Sequence, residues 1–297
     1  MEPKKLSIVI VTYNSEKDIF DCIASIYKYA DLPKEDYEII IVDNNSRDTL
    51  GMFSKIKTLY GNHPLLLRND RNGGYGQGNN IGIEHASAPV ILIMNPDVRL
   101  MEPVFRAALK AFDNDPLLTV YGMKQMLSAT KASNNSFACT YMTNGYLFTL
   151  LTAVCSRLDL YLPRYMYISG ACFFLRRAPF VEIGMFDESV FLYGEEDDIR
   201  YRLMQKFGAR FAYNKRLHYM HLTLDREHTI DYDKRLLDVA VSHAVKKGYP
   251  VHRMLRNRLQ NTRMLLVREW LRMRLKGKDP KAYNRLTALY QYIKSKM

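Results

Sequence analysis

Between residues 6 and 94, short apolar runs alternate strictly with helix-spaced patterns. Leu6 to Val11, Tyr37 to Val42, Leu65 to Leu67 and Val90 to Met94 read as strands that are apolar at nearly every position. Between them, Ser15 to Tyr29 carries Ile19, Cys22, Ile23 and Ile26 at helical spacing, and Gln77 to His85 reads as a further helix. A strand that is apolar on both sides must be covered on both sides. Alternation with helices therefore predicts an α/β fold, a mostly parallel central sheet flanked by helices. In such sheets a ligand binds outside the carboxyl ends of the strands.

Those ends are polar in every case. They read Thr12-Tyr13-Asn14, then Asp43 followed by Asn44-Asn45-Ser46-Arg47-Asp48, then Asn69-Asp70-Arg71-Asn72-Gly73-Gly74, and finally Asn95-Pro96-Asp97. One polar loop means little, but Asp at three ends of four describes a mouth lined for a polar ligand. The glycine-rich stretch from Asn72 to Asn80 is expected to let the backbone approach that ligand. It lacks the GK[ST] of a phosphate-binding P-loop and does not follow the first strand as GxGxxG does, which argues against ATPase and dinucleotide chemistry.

A second feature lies further along, in Tyr193-Gly194-Glu195-Glu196-Asp197-Asp198-Ile199. Four consecutive carboxylates repel one another unless a cation, a proton or a basic partner offsets the charge. The run fits metal and general-base chemistry, and it also fits an acidic helix N-terminus favoured by the helix dipole.

Composition narrows the class. At 297 residues, with 47% apolar and 25% charged, the chain is ordinary for a soluble globular protein. Cys22, Cys139, Cys155 and Cys172 are widely spaced without a CxxC, against both a zinc site and a disulfide framework. The opening strand is too short for a signal-peptide core, and no apolar run reaches the ~20 residues of a spanning helix. A cytoplasmic setting is expected. Charge is concentrated at one end: residues 246–297 carry a net +13 of the chain's +12, leaving −1 for the preceding 245. A neutral body with a cationic tail is not a uniformly basic nucleic-acid binder, and no nucleic-acid partner is expected.

With these residues in view, the chain resembles family 2 glycosyltransferases of the GT-A fold, and within them the bacterial rhamnosyltransferase-like branch that builds cell-surface polysaccharides. The resemblance rests on Val11-Thr12-Tyr13-Asn14, Val42 to Asp48, Asn72 to Gly82, Met94 to Asp97, Ser169-Gly170-Ala171 through Arg176-Arg177, and Phe186-Asp187-Glu188 with Tyr193 to Glu196. These motifs stand in the family's order and cover residues 6–222. The resemblance implies a donor-binding half over residues 1–120, an acceptor and catalytic half over 121–225, and a basic helical C-terminal extension over 226–297.

It also implies roles. Thr12 and Asp43 would contact the base of a nucleoside diphosphate sugar, a carboxylate being a suitable acceptor for a pyrimidine imide. Tyr13, Asn14, Asn45, Asp70 and Asn72 would line the same donor site, as would Gly74, Tyr75 and Asn80. Asn95 and Asp97 stand at the family's DxD-type motif, with Asn in the first acidic position. There Asp97 would hold Mg²⁺ or Mn²⁺ against the diphosphate. A histidine after the strand that follows Arg210 would join it, His221 by spacing rather than His218. The implied reaction is an inverting displacement in which an acceptor hydroxyl attacks the anomeric carbon. The family's base, the second residue of an ED pair, falls on Glu196, with Glu195 before it; this chain has Glu where Asp is usual. Asp198 would order the helix start or bind acceptor, and Asp197 has no counterpart. Arg176 and Arg177 are expected to fix the local fold. Tyr161, Tyr165 and Tyr167 belong to the acceptor-side segment, most of them as core.

The donor implied is dTDP-rhamnose or a UDP-hexose, and the acceptor a lipid-linked saccharide. In the tail, Val251, Leu255, Leu259, Thr262, Leu266, Trp270 and Met273 share one helix face, with arginines on the others. A basic amphipathic helix of this kind suits peripheral contact with an anionic membrane at the inner face of the cell, and equally suits packing on the catalytic domain or on a second subunit.

Overall fold

The computed structural model describes residues 4–140, 146–222, 229–277 and 279–297. The expected alternation is present: β1 (Leu6–Thr12), α1 (Ile19–Tyr29), β2 (Tyr37–Asp43), α2 (Thr49–Tyr60), β3 (Pro64–Arg68), α3 (Gly74–Glu84) and β4 (Val90–Met94). The helix α2 had no counterpart in the sequence reading because it buries only Thr49, Met52 and Ile56, too sparse a stripe to stand out. The chain continues through β5 (Val98–Leu100), α4 (Phe105–Asn114), β6 (Leu118–Met126), β7 (Phe137–Cys139), α5 (Tyr146–Leu158) and β8 (Met166–Ile168). It then forms β9 (Cys172–Arg176), α6 (Arg177–Glu182), α7 (Glu195–Phe207) and β10 (Arg210–His221). Three helices follow, α8 (Ile230–Lys246), α9 (Val251–Lys276) and α10 (Lys281–Ser295).

Eight strands form one sheet in the order β3-β2-β1-β4-β9-β6-β10-β5, and β7 pairs with β8 separately. Pairing is parallel from β3 through β4 and again between β6 and β10; only β9 and β5 run against the rest. This is the mostly parallel sheet that the alternation predicts. Strand order reverses between β1 and β4, so their carboxyl ends flank a switch point of the kind where ligands bind. Register sets the ends level, with Thr12 opposite Asp43.

The chain divides into two compact units, one within 1–137 and 168–223, the other within 138–167 and 224–297. In the first, Leu6, Ile8 and Ile10 of β1, Ile39 and Ile41 of β2, and Leu92 of β4 pack with Ile19, Ile23 and Ile26 of α1 and Phe105 of α4. The side chain of Arg176 closes the end of β9, donating to the carbonyls of Leu118, Phe112 and Asp115 at 3.0, 2.7 and 3.1 Å. In the second, Leu237, Ala240 and Ala244 of α8 meet Met254 and Leu255 of α9 and Ile293 of α10. No helix among the described residues is long and apolar enough to cross a membrane.

The glycine-rich stretch behaves differently from expectation. From Gly74 onward it is helix, and Gly78 within it and Gly82 just beyond face the sheet. A Cβ on Gly78 would lie 2.6 Å from Val11 Cγ1, and one on Gly82 2.4 Å from Val9 Cγ1. The glycines let α3 press onto β1. Because Val9 is fully buried and β-branched, it has no room to give. We therefore expect Gly82→Ala to lower stability by about 1–2 kcal/mol, overpacking outweighing the gain in helix propensity. In a Val9→Ala background the penalty of Gly82→Ala should shrink, which a double-mutant cycle on thermal or urea unfolding would detect.

Candidate active site

The mouth of the sheet is built first by the ends of β1 and β2. Asp43 is fully buried, and its carboxylate accepts from Thr12 Oγ1 at 2.8 Å, Ser46 Oγ at 2.6 Å, Ser46 N at 2.9 Å and Thr49 Oγ1 at 2.5 Å. A carboxylate has about four lone-pair sites, so these donors fill it. Thr12 is buried with it. The two residues expected to touch a base instead bind each other and order the loop 44–49. Asn14 joins this knot, its N–H donating to Ser46 Oγ at 2.7 Å and its side chain accepting from Arg47 N at 3.1 Å. Both Asn14 and Asn45 hold positive φ, 50° and 62°, which Asn tolerates better than most residues. Tyr13, Asn14, Asn45 and Asp70 are exposed, as are Arg47 and Asp48 of the same loop.

The start of α3 serves the loop before α7. Asn72 accepts from Gly74 N at 3.1 Å, while Tyr75 N donates to the Phe191 carbonyl at 3.1 Å. Gly74 has φ 90°, and a Cβ there would strike the Phe191 carbonyl at 2.1 Å. Buried Asn80 bonds Phe186 through both its N–H and its carbonyl, each at 3.0 Å, and Glu188 at 3.0 Å. Asn80 and Gly74, expected at the donor, are therefore engaged with residues 186–191.

The turn after β4 is held from three sides. Asn95 N donates to the Ala171 carbonyl at 2.9 Å, Val98 N donates to the Asn95 carbonyl at 3.1 Å, and Arg99 Nη1 donates to the carbonyls of Pro96 and Val98 at 2.9 Å each. Arg99 is 7% exposed and approaches Asp18 and Asp21 at 3.8 and 3.6 Å. Its role went unread in the sequence, although a lone Arg two residues beyond Asp97 in an apolar strand is a signal. The pairing of β5 with β10 then brings His221 opposite Val98 and sets its Nε2 3.2 Å from Asp97 Oδ2. His218, three residues earlier, is occupied elsewhere: its ring and its N–H both bond Glu102, at 2.6 and 2.8 Å.

The carboxylate run opens α7, as the dipole favours, after two left-handed residues, Tyr193 at φ 80° and Gly194 at φ 88°. Its four members differ sharply. Asp198 is paired with Arg202 at 2.7 Å, and that guanidinium also caps the carbonyls of Ile183 and Met185 at 2.7 and 2.6 Å. Asp197 is buried. Glu195 is buried with Oε1 lacking any hydrogen-bond partner. Burial, and then the neighbouring Glu196, push its carboxyl up to about 8. Glu196 is half-buried and accepts from Gly170 N at 3.0 Å; burial raises it too, while that N–H opposes the rise. At neutral pH the pair therefore keeps a proton.

Comparisons with known proteins were made against this geometry. The model for "Glycosyl transferase family 2" matches residues 7–184. Among curated proteins, a 94-residue stretch is 40% identical to the poly(ribitol-phosphate) beta-glucosyltransferase of Bacillus spizizenii, covering 31% of this chain and 15% of that one. A 203-residue stretch is 26% identical to the low-salt glycan biosynthesis hexosyltransferase Agl10 of Haloferax volcanii, covering 66% and 61%. The chain thus spans less than two thirds of the length of these relatives. Among solved structures, the mannosyltransferase PcManGT from Pyrobaculum calidifontis, in complex with GDP-Man and Mn²⁺, aligns with a TM-score of 0.64 at 14% identity over 99% of this chain and 88% of that one. TarS of S. aureus aligns with a TM-score of 0.57 at 16% identity over 86% and 42%. These likenesses are of fold. With the family model covering more than half its length, from β1 through α6, this chain belongs to glycosyl transferase family 2.

Proposed function

We propose that the protein is an inverting glycosyltransferase that moves a sugar from a nucleoside diphosphate sugar to a saccharide hydroxyl. The observation that carries this reading is the division of labour among the acidic residues. One carboxylate, Asp97, lies against an imidazole, and another, Glu196, is held by a backbone N–H beside a neighbour that keeps its proton. The first pair suits a cation and the second suits a base.

Asp97 and His221 fit a divalent cation chemically: a hard oxygen and an imidazole nitrogen already 3.2 Å apart, both partly exposed. No group of three or more His, Cys, Asp or Glu suited to a metal occurs among the described residues, so the remaining ligands would be diphosphate oxygens and water. Such an ion supplies counter-charge to the departing diphosphate. Solved neighbours that carry Mn²⁺ with GDP-Man, or with UDP and GalNAc, support this use of the fold. Glu196 takes the proton of the attacking hydroxyl, while Glu195, buried beside it, keeps its own proton near neutral pH. Asp43, with its four donors, shapes the base-binding loop from within, leaving Tyr13, Asn45 and Asp70 to face the nucleotide. Asp198 and Asn80 act as positioning residues.

The family branch leans to dTDP-rhamnose or a UDP-hexose, and a lipid-linked acceptor would bring the enzyme to a membrane. For that contact the structure offers a different surface from the one the sequence suggested. Leu255 and Thr262 of α9 are buried, and Val251 and Leu259 pack on that helix core, so most of the expected face is consumed within the second unit. A separate stripe is exposed: Met264, Val267, Leu271 and Leu275, with Trp270 beside it, among Arg263, Arg268, Arg272 and Arg274. Apolar residues flanked by guanidinium groups suit an anionic bilayer surface.

Three outcomes are expected. In a thermal-shift screen of dTDP, UDP, GDP and their sugars, one nucleotide should stabilise the protein in a Mn²⁺-dependent way, by about 2.7 kcal/mol at ~100 Kd. Asp97→Ala should lose that response, while Glu196→Gln should keep it and lose turnover; turnover retained in Glu196→Gln would refute the base assignment. Anionic vesicles should bind the protein in a salt-sensitive manner, and a Trp270→Ser/Leu271→Glu variant should stay in the supernatant; equal sedimentation of both would remove the membrane reading. Finally, Glu195 binds a proton in the folded state between about pH 4.5 and 8 that it lacks when unfolded, so its contribution to stability falls as pH rises through that window and stays lost above it. Glu195→Gln should therefore match wild type near pH 4 and exceed its Tm by about 2 °C or more at pH 8.5.

A further inference from the structure

The geometry points to Tyr75 as the positioning residue of the Glu196 carboxylate, acting by anchoring Gly170; the inference rests on the reading of Glu196 as base. Tyr75 was expected at the donor, yet its hydroxyl donates to the Gly170 carbonyl at 2.7 Å, and the N–H of the same Gly170 donates to Glu196 Oε1 at 3.0 Å. A phenol on α3 and a carboxylate on α7, 121 positions apart in sequence, are thus joined through a single residue between β8 and β9. The carbonyl and the N–H of Gly170 belong to the two peptide groups that meet at its Cα, so the Tyr75 bond acts by anchoring a residue that would otherwise be the most freely rotating in the chain, and thereby the direction of its N–H. The ring itself is fixed by an edge contact with Phe186, centroids 5.6 Å apart at 84°, so the hydroxyl has little choice of direction.

Two further observations agree. A Cβ on Gly170 would fall 2.1 Å from Glu196 Oε1, so glycine is what allows the carboxylate to sit against this backbone. Burial, and then Glu196 and Glu195, hold the Tyr75 phenol well above its ordinary range, so it stays a donor at any pH the enzyme meets. The titratable groups around Glu196 are Glu195 and Asp197 on its own helix, Tyr75 from α3 and Tyr219 from β10, with Cys172 of β9 beside both tyrosines. Each of these either raises the carboxyl of Glu196 or stays neutral beside it. Two backbone N–H groups favour the ionised form, that of Glu196 itself and that of Gly170, and only the second comes from outside α7, where Tyr75 anchors it.

The test is a ¹³C NMR titration of glutamate-labelled full-length protein, with Glu196 assigned by Glu196→Gln and its partner silenced by a Glu195→Gln background. Tyr75→Phe keeps the ring and its packing and removes one O–H. Its Glu196 carboxyl should titrate higher by about half a unit or more. With the sugar nucleotide that gives the largest thermal shift, kcat should fall about five- to tenfold at unchanged KM, the acidic limb moving upward with the carboxyl. Gly170→Ala is the second probe. Only the flexible end of Glu196 stands in its way, so it should fold and bind nucleotide normally with kcat down about a hundredfold or more. An unmoved titration in Tyr75→Phe, or wild-type kcat in Gly170→Ala while Glu196→Gln is inactive, overturns the relay. Full turnover in Glu196→Gln overturns the base reading instead, and the titration then still decides whether Tyr75 sets the carboxyl.

Discussion

The short segment Ser169-Gly170-Ala171 is the constraint on which the candidate site depends. The Ala171 carbonyl accepts from Asn95 N, which anchors the turn carrying Asp97, and the Gly170 N–H holds Glu196. Ser169 in turn donates its N–H to the Ser136 carbonyl at 3.0 Å and its hydroxyl to Gln125, which also accepts from Tyr219. Three residues thus tie the turn that carries Asp97 and the carboxylate of Glu196 to one stretch of backbone. Side chains on rigid backbone are placed more reproducibly than side chains on loops, and here the rigidity comes from the antiparallel insertion of β9 between β4 and β6. Had β9 been another parallel strand, its amino end and the segment before it would lie at the opposite edge of the sheet from the ends of β1 and β4.

The acidic residues illustrate how environment, rather than residue type, assigns chemistry. Asp43 is saturated by three hydroxyls and one N–H, Asp198 is neutralised by Arg202, Glu195 has an oxygen without a partner, and Glu196 is held by the N–H of Gly170. A saturated carboxylate is a scaffold and an under-satisfied buried one is reactive or protonated. The run of four at the start of α7 is therefore not one cluster doing one task. The helix dipole offsets part of its repulsion, an ion pair takes a further part, and a retained proton accounts for the rest.

Much of the fold was legible in the chain because the strands are buried on both sides and announce themselves by composition. The runs ending at Thr12, Asp43 and Met94 became β1, β2 and β4 with ends shifted by a residue or less. The pairing of Asp97 with His221 was also legible in outline, since both close strands that end at the mouth. What was not legible depends on long-range partners. Asp43 reads as a ligand contact until Thr12, Ser46 and Thr49 are folded around it, and Asn80 reads the same way until residues 186–188 arrive against it. The Asp198–Arg202 pair was recoverable, since i, i+4 opposite charges on a helix are neighbours.

The glycine stretch and α9 show why pattern alone misassigns surfaces. A run of small residues near polar strand ends fits close approach to a ligand, but Gly78 and Gly82 spend that closeness on Val11 and Val9 of β1. The same steric fact serves both purposes, and only the helix phase decides between them. Helix phase also decides α9. Its residues satisfy two apolar stripes at once, and at 26 residues it is long enough for its first half to bury Met254 and Leu255 while its second half leaves Leu271 and Leu275 outside. A helix that is apolar along more than one line can hold a core and present a surface, and a periodicity count sums the two without separating them. The exposed half carries its own local order: Arg268 and Arg272 close on buried Glu269 at 2.8 and 2.9 Å, while Leu271 and Leu275 one turn on stay outside.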